Sequence, residues 1–333
     1  MSAHSFIYAL SLDGHRLGDG ADGIRTLTDY VSLAEASGID VLTLGDPLEA
    51  SESEGVGLAA AETLAYLARK TNTIGLLPAA SSHYSEPFHT AKAIATLDYI
   101  SLGRAGIVLD ASQTDAVDAR FPDLPPLPPE ERVAQAGEFV DVVRALWDSW
   151  EDYAEIRELS TGRYVDSSKV HHIDHSGAYF TVKGPLITPR PPQGQPIVTV
   201  RLDPAAQATE EWPGLFGLTV TRADVAIVEA TGDLSAFHTV VGALRNSAAD
   251  PSVWARVSAA DPAAALKQSA ALRDVVDGVE FVADGASGLA VLPEVLRVVA
   301  RLRSGAGSVE RAATLRDRLG LERPISRFAN AAV

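Results

Sequence analysis

The stretch from Thr73 to Ser112, TIGLLPAASSHYSEPFHTAKAIATLDYISLGRAGIVLDAS, constrains the fold more than any other part of the chain. Ile74 to Pro78 and Ile107 to Leu109 are short apolar runs of the kind that become strands buried on both faces. Between them Pro87 occupies a helix first turn, where its missing N–H costs nothing. Ala91, Ile94, Ala95 and Leu97 then recur at helical spacing until Gly103 stops the helix. A strand, a helix and a second strand in so few residues form a right-handed βαβ crossover, the unit of a parallel sheet covered by helices. The loop Ala79 to Phe88 leaves the carboxyl end of the first strand, where such folds place their chemistry.

The rest of the chain repeats this alternation. Phe6 to Leu12 reads as a first strand; Ile24, Leu27, Tyr30, Val31 and Ala34 face one side of a helix that Gly38 ends; Val41 to Leu44 reads as a second strand. An Ala- and Leu-rich helix, Leu58 to Ala68, leads into the Thr73 stretch. After the fourth strand, the proline-rich Pro122 to Pro129 hands over to a helix from Glu130 to Trp150. Residues 151–195 break the pattern: His171 to Val182 reads as a hairpin turning at Ser176-Gly177, and the segment is expected to be an insertion lying over the barrel mouth. Further strands follow at Pro196 to Val200, Ala223 to Val228, Trp254 to Val257 and Gly278 to Val282. A short helix is expected near Pro204 to Glu211 and longer ones at Ser235 to Arg245 and Leu292 to Leu302. Eight such units predict one (β/α)8 TIM barrel domain over residues 1–333, with its insertion between strands 4 and 5.

Composition narrows the partners. A formal charge of −16, with no run of Lys and Arg, argues against nucleic acid or an anionic membrane. The chain has no cysteine, so disulfides, thiolate nucleophiles and Cys-bound metals are excluded. No leader-like N-terminus and no apolar run long enough to span a bilayer is present, and the expected location is the cytoplasm.

SSHYSEPFHTAKAIATLDYISLGRAG resembles the corresponding segment of luciferase-like flavin monooxygenases, in the branch with nitrilotriacetate and dibenzothiophene-sulfone monooxygenases. LDGHR at Leu12 to Arg16, GIDVLTLGD, EFVDVVRALWDSWEDYA, GRYVDSSKVHHIDHSGAYFTVKGPLITPRPPQGQPIV and TLRDRLGLERPISRF are similar to the same family, so the likeness covers about two-thirds of the chain. The resemblance implies an FMN-dependent monooxygenase of the two-component type. A separate flavin reductase would supply reduced FMN, which with oxygen would act on a small organic substrate in the barrel mouth. It also implies that Asp46 lies by the flavin ring, that Ser81 and Ser82 line the wall beneath it, and that His15 and Tyr84 face the cavity as catalytic candidates. A dimer, with a second copy or with a homologue, is expected on the same ground.

Three flavin contacts depart from the family pattern. Val108 stands where an Asn amide is usual, Arg132-Val133 where an Arg-Tyr pair is, and Val200-Arg201-Leu202-Asp203-Pro204 where a phosphate-binding turn is. A phosphate needs several convergent donors at about 1.5–3 kcal/mol each. Arg201 is the candidate substitute clamp, whereas Asp203 repels an anion and Pro204 lacks an N–H. A non-catalytic relative without flavin, working as the partner of an active homologue, is therefore the alternative. Deazaflavin-dependent hydride transfer is a third option that no residue favours.

Other motifs read as structural. His89 sits in a helix first turn. His171, His172 and His175 lie in a hairpin without an accompanying carboxylate motif, so no metal site is expected. Gly18 to Gly23 matches GxGxxG in letters, but a polar loop separates it from the strand and Asp19 and Asp22 would repel a pyrophosphate, so it reads as a flexible surface loop.

Overall fold

The computed structural model describes residues 6–13, 20–46, 58–112, 114–208, 212–232, 234–283, 285–304 and 314–329. Its first half runs β1 (Ile7–Asp13), α1 (Gly20–Ala36), β2 (Val41–Gly45), α2 (Ala60–Ala68), β3 (Gly75–Ser81), α3 (Pro87–Ser101) and β4 (Gly106–Asp110). The short α4 (Asp115–Asp118) and the long α5 (Pro129–Asp148) follow. Two small hairpins come next, β5 (Glu155–Glu158) with β6 (Arg163–Val165), and β7 (His175–Ser176) with β8 (Thr181–Val182). The barrel then resumes with β9 (Ile197–Leu202), α6 (Trp212–Arg222), β10 (Val225–Glu229), α7 (Leu234–Arg245), β11 (Ser252–Ser258), α8 (Pro262–Leu272), β12 (Gly278–Ala283), α9 (Gly285–Ser304) and α10 (Leu315–Arg318). Eight strands, β1-β2-β3-β4-β9-β10-β11-β12, close on one another, each parallel to its neighbours.

The Thr73 stretch folds as the βαβ unit expected of it. β3 and β4 lie side by side and parallel, Ala79 opposite Val108 and Ser81 opposite Asp110. Ala79 to Ser81, expected as loop, belong to β3 because this pairing extends the strand. Pro87 takes the first helical position, and α3 ends where Leu102 and Gly103 both turn left-handed (φ 60° and 85°). Arg104, next in the chain, is buried and donates to the carbonyls of Ala68, Thr71, Ile74 and Ser101 at 2.6–3.2 Å, satisfying acceptors where α2 and α3 end and where the chain enters β3.

Strand alternation sorts the barrel lumen into two halves. The lower half is apolar: Ile7, Ala9, Val41, Leu77, Ile197, Val225, Ile227 and Trp254 pack together, and Leu315 and Leu319 plug them from beneath. Room there is short, since a Cβ on Gly106 would meet the Ile197 carbonyl at 2.8 Å and one on Gly278 would meet that of Ile7 at 2.8 Å. One layer up, the same alternation points Ser11, Thr43, Thr199, Arg201, Arg256 and Glu280 inward.

The insertion does not cover the mouth. It leaves the end of α5, which runs antiparallel to the strands, and so begins at the opposite face of the barrel. Trp150 donates to the Leu186 carbonyl (2.7 Å), Arg190 pairs with Asp148 (3.2 Å) and Tyr99 donates to the Arg190 carbonyl (2.8 Å) at that face, and the β7–β8 hairpin lies against the middle of α5, where Glu138 accepts from the Phe180 N–H (2.9 Å). Other departures from expectation are smaller. β5 and β6 add a hairpin, the expected helix at Pro204 is a single 3-10 turn to Ala208 ahead of α6, and Gly20 to Gly23, read as loop, open α1.

Asp98 ties three segments together at this face. Fully buried, it accepts from the Gln193 side chain (2.6 Å), the Gln193 N–H (3.1 Å) and the Ala105 N–H (3.1 Å). Burial outweighs these donors and pushes its pKa up to about 6 from 3.8. The folded state therefore holds this proton more tightly than the unfolded chain, and the stability so gained is lost as pH rises through about 6. Lowering the pH from 7 to 5 is expected to favour wild type over Asp98→Asn by about 1 kcal/mol. At pH 7 that variant is expected to be less stable by about 1–3 kcal/mol, because its amide sets a donor against the Gln193 N–H. Urea unfolding at the two pH values measures both; a gap between the proteins that does not change with pH would refute the assignment.

Candidate functional site

A cavity of about 370 Å³ opens at the carboxyl ends of the strands. Asp46, at the end of β2, and Ser81, at the end of β3, line it, with Tyr84, Val108, Asp110 and Val133. Arg201 and Arg256 also line it, from the polar layer of the lumen.

The loop after β3 is built around its own hydroxyls. Ser81 Oγ accepts from the N–H groups of His83 (3.3 Å) and Tyr84 (3.2 Å), closing a turn, while the residue still lines the cavity. Ser82 is buried and directed elsewhere, its N–H (2.9 Å) and Oγ (3.3 Å) both donating to the Asp110 carbonyl. Tyr84 stacks on Phe121 (centroids 4.9 Å apart, 26° between planes) and its hydroxyl donates to Asp118 at 2.6 Å. The phenol is thus held at a fixed orientation on the cavity wall. His15 lies outside the described residues. His83, one residue before Tyr84, is buried with Nδ1 at 3.0 Å from Gln135.

Charges in the middle of apolar strands make the floor. Glu280, wholly buried in GVEFVA, accepts from Thr43 Oγ1 (2.6 Å), from Arg201 Nη2 (3.2 Å) and from Arg256 Nη1 (2.6 Å). Burial pushes its pKa up, but Arg201, Arg256 and Thr43 reverse this and hold it below the usual carboxylate range. Arg256 also meets Glu229 at 3.1 Å through Nε. A charged residue in a strand buried on both faces needs a counter-charge, and that signal was present in VWARVS, IVTVRL and GVEFVA. Of this cluster only Arg201 was singled out from the sequence; contacts across five strands settled the rest.

The histidine-rich hairpin sends its rings to three separate partners: His171 to Glu151 (2.7 Å), His172 to the Gly184 carbonyl (2.7 Å) and His175 to Glu138 (2.8 Å). His89 is exposed on α3.

An FMN phosphate finds a poor seat in the mouth. Two of the three positions that depart from the flavin-binding pattern, Val108 and Val133, face the cavity as apolar side chains. Beyond β9, the Ala205 N–H donates to Asp203 Oδ1 (2.9 Å), so the chain's own carboxylate takes a donor that a phosphate would need. Arg201 is held by Glu280, Thr43 and Ser11. The apolar wall suits a flat ring, but the anion end does not fit.

The family model described as luciferase-like monooxygenase matches residues 4–322. One of two similar components of pristinamycin IIA synthase from Streptomyces pristinaespiralis is 32% identical over 309 residues, 92% of each chain. The other component of that synthase is 39% identical over 104 residues, 31% of this chain and 20% of that one. N-acetyl-S-(2-succino)cysteine monooxygenase of Bacillus subtilis (strain 168) is 40% identical over 184 residues, 54% of this chain and 42% of the relative. The chain thus spans less than half the length of that enzyme. Among solved structures, riboflavin lyase with modified FMN and riboflavin superposes with a TM-score of 0.79 at 19% identity, over 97% of this chain and 98% of the other, a likeness of fold.

Proposed function

Because the chain belongs to the luciferase-like monooxygenase family, we propose that it works in a two-component flavin-dependent monooxygenase as the barrel that does not carry flavin, paired with a homologous barrel that does. One observation carries this reading. The donors with which a barrel of this kind would grip the cofactor's phosphate are drawn off in part by its own groups, the Ala205 N–H by Asp203 and Arg201 Nη2 by Glu280, and Val108 and Val133 offer none. The end-to-end match to one component of a synthase, whose other component is also similar, supports the same role. In this reading reduced FMN comes from a separate flavin reductase, the system oxidises a small organic molecule with oxygen, and it works in the cytoplasm, where reduced flavin is made.

A second reading keeps FMN in this chain, and the cavity lined by Asp46, Ser81 and Tyr84 favours it. Anaerobic titration of the purified chain with oxidised and with reduced FMN, followed by flavin fluorescence and calorimetry, separates the two. No saturable binding up to about 100 µM is expected. Binding of one FMN per chain at low micromolar concentration would overturn the first reading and establish the second.

A further inference from the structure

We propose that the cavity at the barrel mouth takes an uncharged ring compound with a polar edge, held against an apolar wall made by β4 and α5. The inference rests on the flavin-free reading, since it gives this cavity to a molecule other than FMN. Val108 on β4 and Val133 on α5 both line the cavity, and Ala79, Val117 and Leu215 add further apolar side chains. Tyr84 contributes an aromatic ring that Phe121 and Asp118 hold in place. The volume of about 370 Å³ lies near the lower end of the ~300–1,000 Å³ usual for pockets that hold compact organic ligands.

The charges around the cavity favour neither sign of ion. Arg201 and Arg256 line it, but each is answered, Arg201 by Glu280 (3.2 Å) and Arg256 by Glu280 (2.6 Å) and Glu229 (3.1 Å). Two guanidinium groups against two carboxylates leave no positive charge over among these described residues. Asp46 and Asp110 line the same cavity, so an anion entering it meets repulsion with no surplus cation in return. A cation would lose water beside the two guanidinium groups, and Asp110 already accepts from the Ser112 N–H through Oδ1 (2.8 Å). An uncharged ring incurs neither penalty and buries its faces against Val108 and Val133. Its polar edge has donors to meet. Ser81 and Thr114 use their hydroxyl oxygens to accept from backbone N–H groups, which leaves each O–H to donate to a carbonyl on the ligand.

Calorimetric titration of the full chain near neutral pH with naphthalene probes that share a ring and differ in charge tests this: 2-naphthamide, uncharged; 2-naphthoate, an anion; and 2-naphthylmethylammonium, a cation. Saturable binding of the amide is expected, with both ions weaker by about tenfold or more. Asp110→Asn is expected to strengthen naphthoate binding about fivefold while changing amide binding by less than about twofold, a split that an altered cavity shape would not produce. Val133→Thr, which keeps the shape of the wall and adds a hydroxyl, is expected to weaken the amide about threefold or more. Either ion binding as tightly as the amide refutes the assignment, and so does the absence of binding by any probe. FMN, titrated separately, judges the flavin-free reading. If neither FMN nor the amide binds, only this inference falls; if FMN binds at low micromolar concentration, the flavin-free reading falls and takes this inference with it.

Discussion

Glu280→Gln is expected to destabilise the fold by about 3–5 kcal/mol, because removing the wholly buried carboxylate takes the counter-charge from Arg201 and leaves Arg256 with Glu229 alone. Glutamine keeps the volume and one acceptor oxygen. Its amide nitrogen, however, would face either Arg256 or the pair of Arg201 and Thr43, donor against donor. Glu280 is fully buried, so solvent does not screen the loss. The pKa of this group lies below its ordinary 4.5, so its stabilisation is complete above that pH and is lost as pH falls through the lower folded value. Urea unfolding at pH 7 is the measurement, and a difference below about 1 kcal/mol would show that the cluster is not held as described. A quadruple variant, Arg201→Met, Glu229→Met, Arg256→Met and Glu280→Leu, which leaves no member of the cluster unpaired, is expected to recover most of the loss, since apolar groups of similar volume commonly replace a buried cluster without cost.

Arg104→Lys is expected to cost about 3 kcal/mol, although it conserves charge. The planar guanidinium reaches the Ser101 carbonyl through Nε at 2.7 Å, Ile74 through Nη1 at 2.6 Å and Ala68 and Thr71 through Nη2 at 3.0 and 3.2 Å. A lysine has one nitrogen and three donors, so buried carbonyls at the ends of two helices would lose their partners. Burial lowers the pKa of Arg104 to about 10, which still leaves it charged at neutral pH. Chemical unfolding compares the two proteins. A lysine variant within about 1 kcal/mol of wild type would mean that water satisfies those carbonyls instead.

The barrel was legible from local rules. Pro87 and Gly103 delimit α3 through backbone geometry that no other residue type supplies as readily, and the apolar runs at Ile74 and Ile107 are of a length that suits strands buried on both faces. Among the candidate site residues, Asp46, Ser81, Tyr84 and Arg201 do converge on one cavity, because strand ends in a closed parallel barrel share a face. Ser82 does not, since one step along the chain after Ser81 reverses the direction of the side chain. The insertion was misplaced for a related reason. Its hairpin residues are readable locally, but which face it joins depends on the direction of α5, a property of the packed helix.

By itself, then, the amino-acid sequence determined the alternating elements, the parallel closed sheet and the departures at Val108, Val133 and Asp203, because propensity, periodicity and residue chemistry are carried within a few positions. Only the tertiary structure decided that Glu280 would neutralise Arg201, that Arg256 would join them and that the mouth would carry a charged floor. Those contacts bridge residues up to 237 apart in the chain, as between Thr43 and Glu280. Their energies depend on burial and distance, which exist only once eight strands have closed.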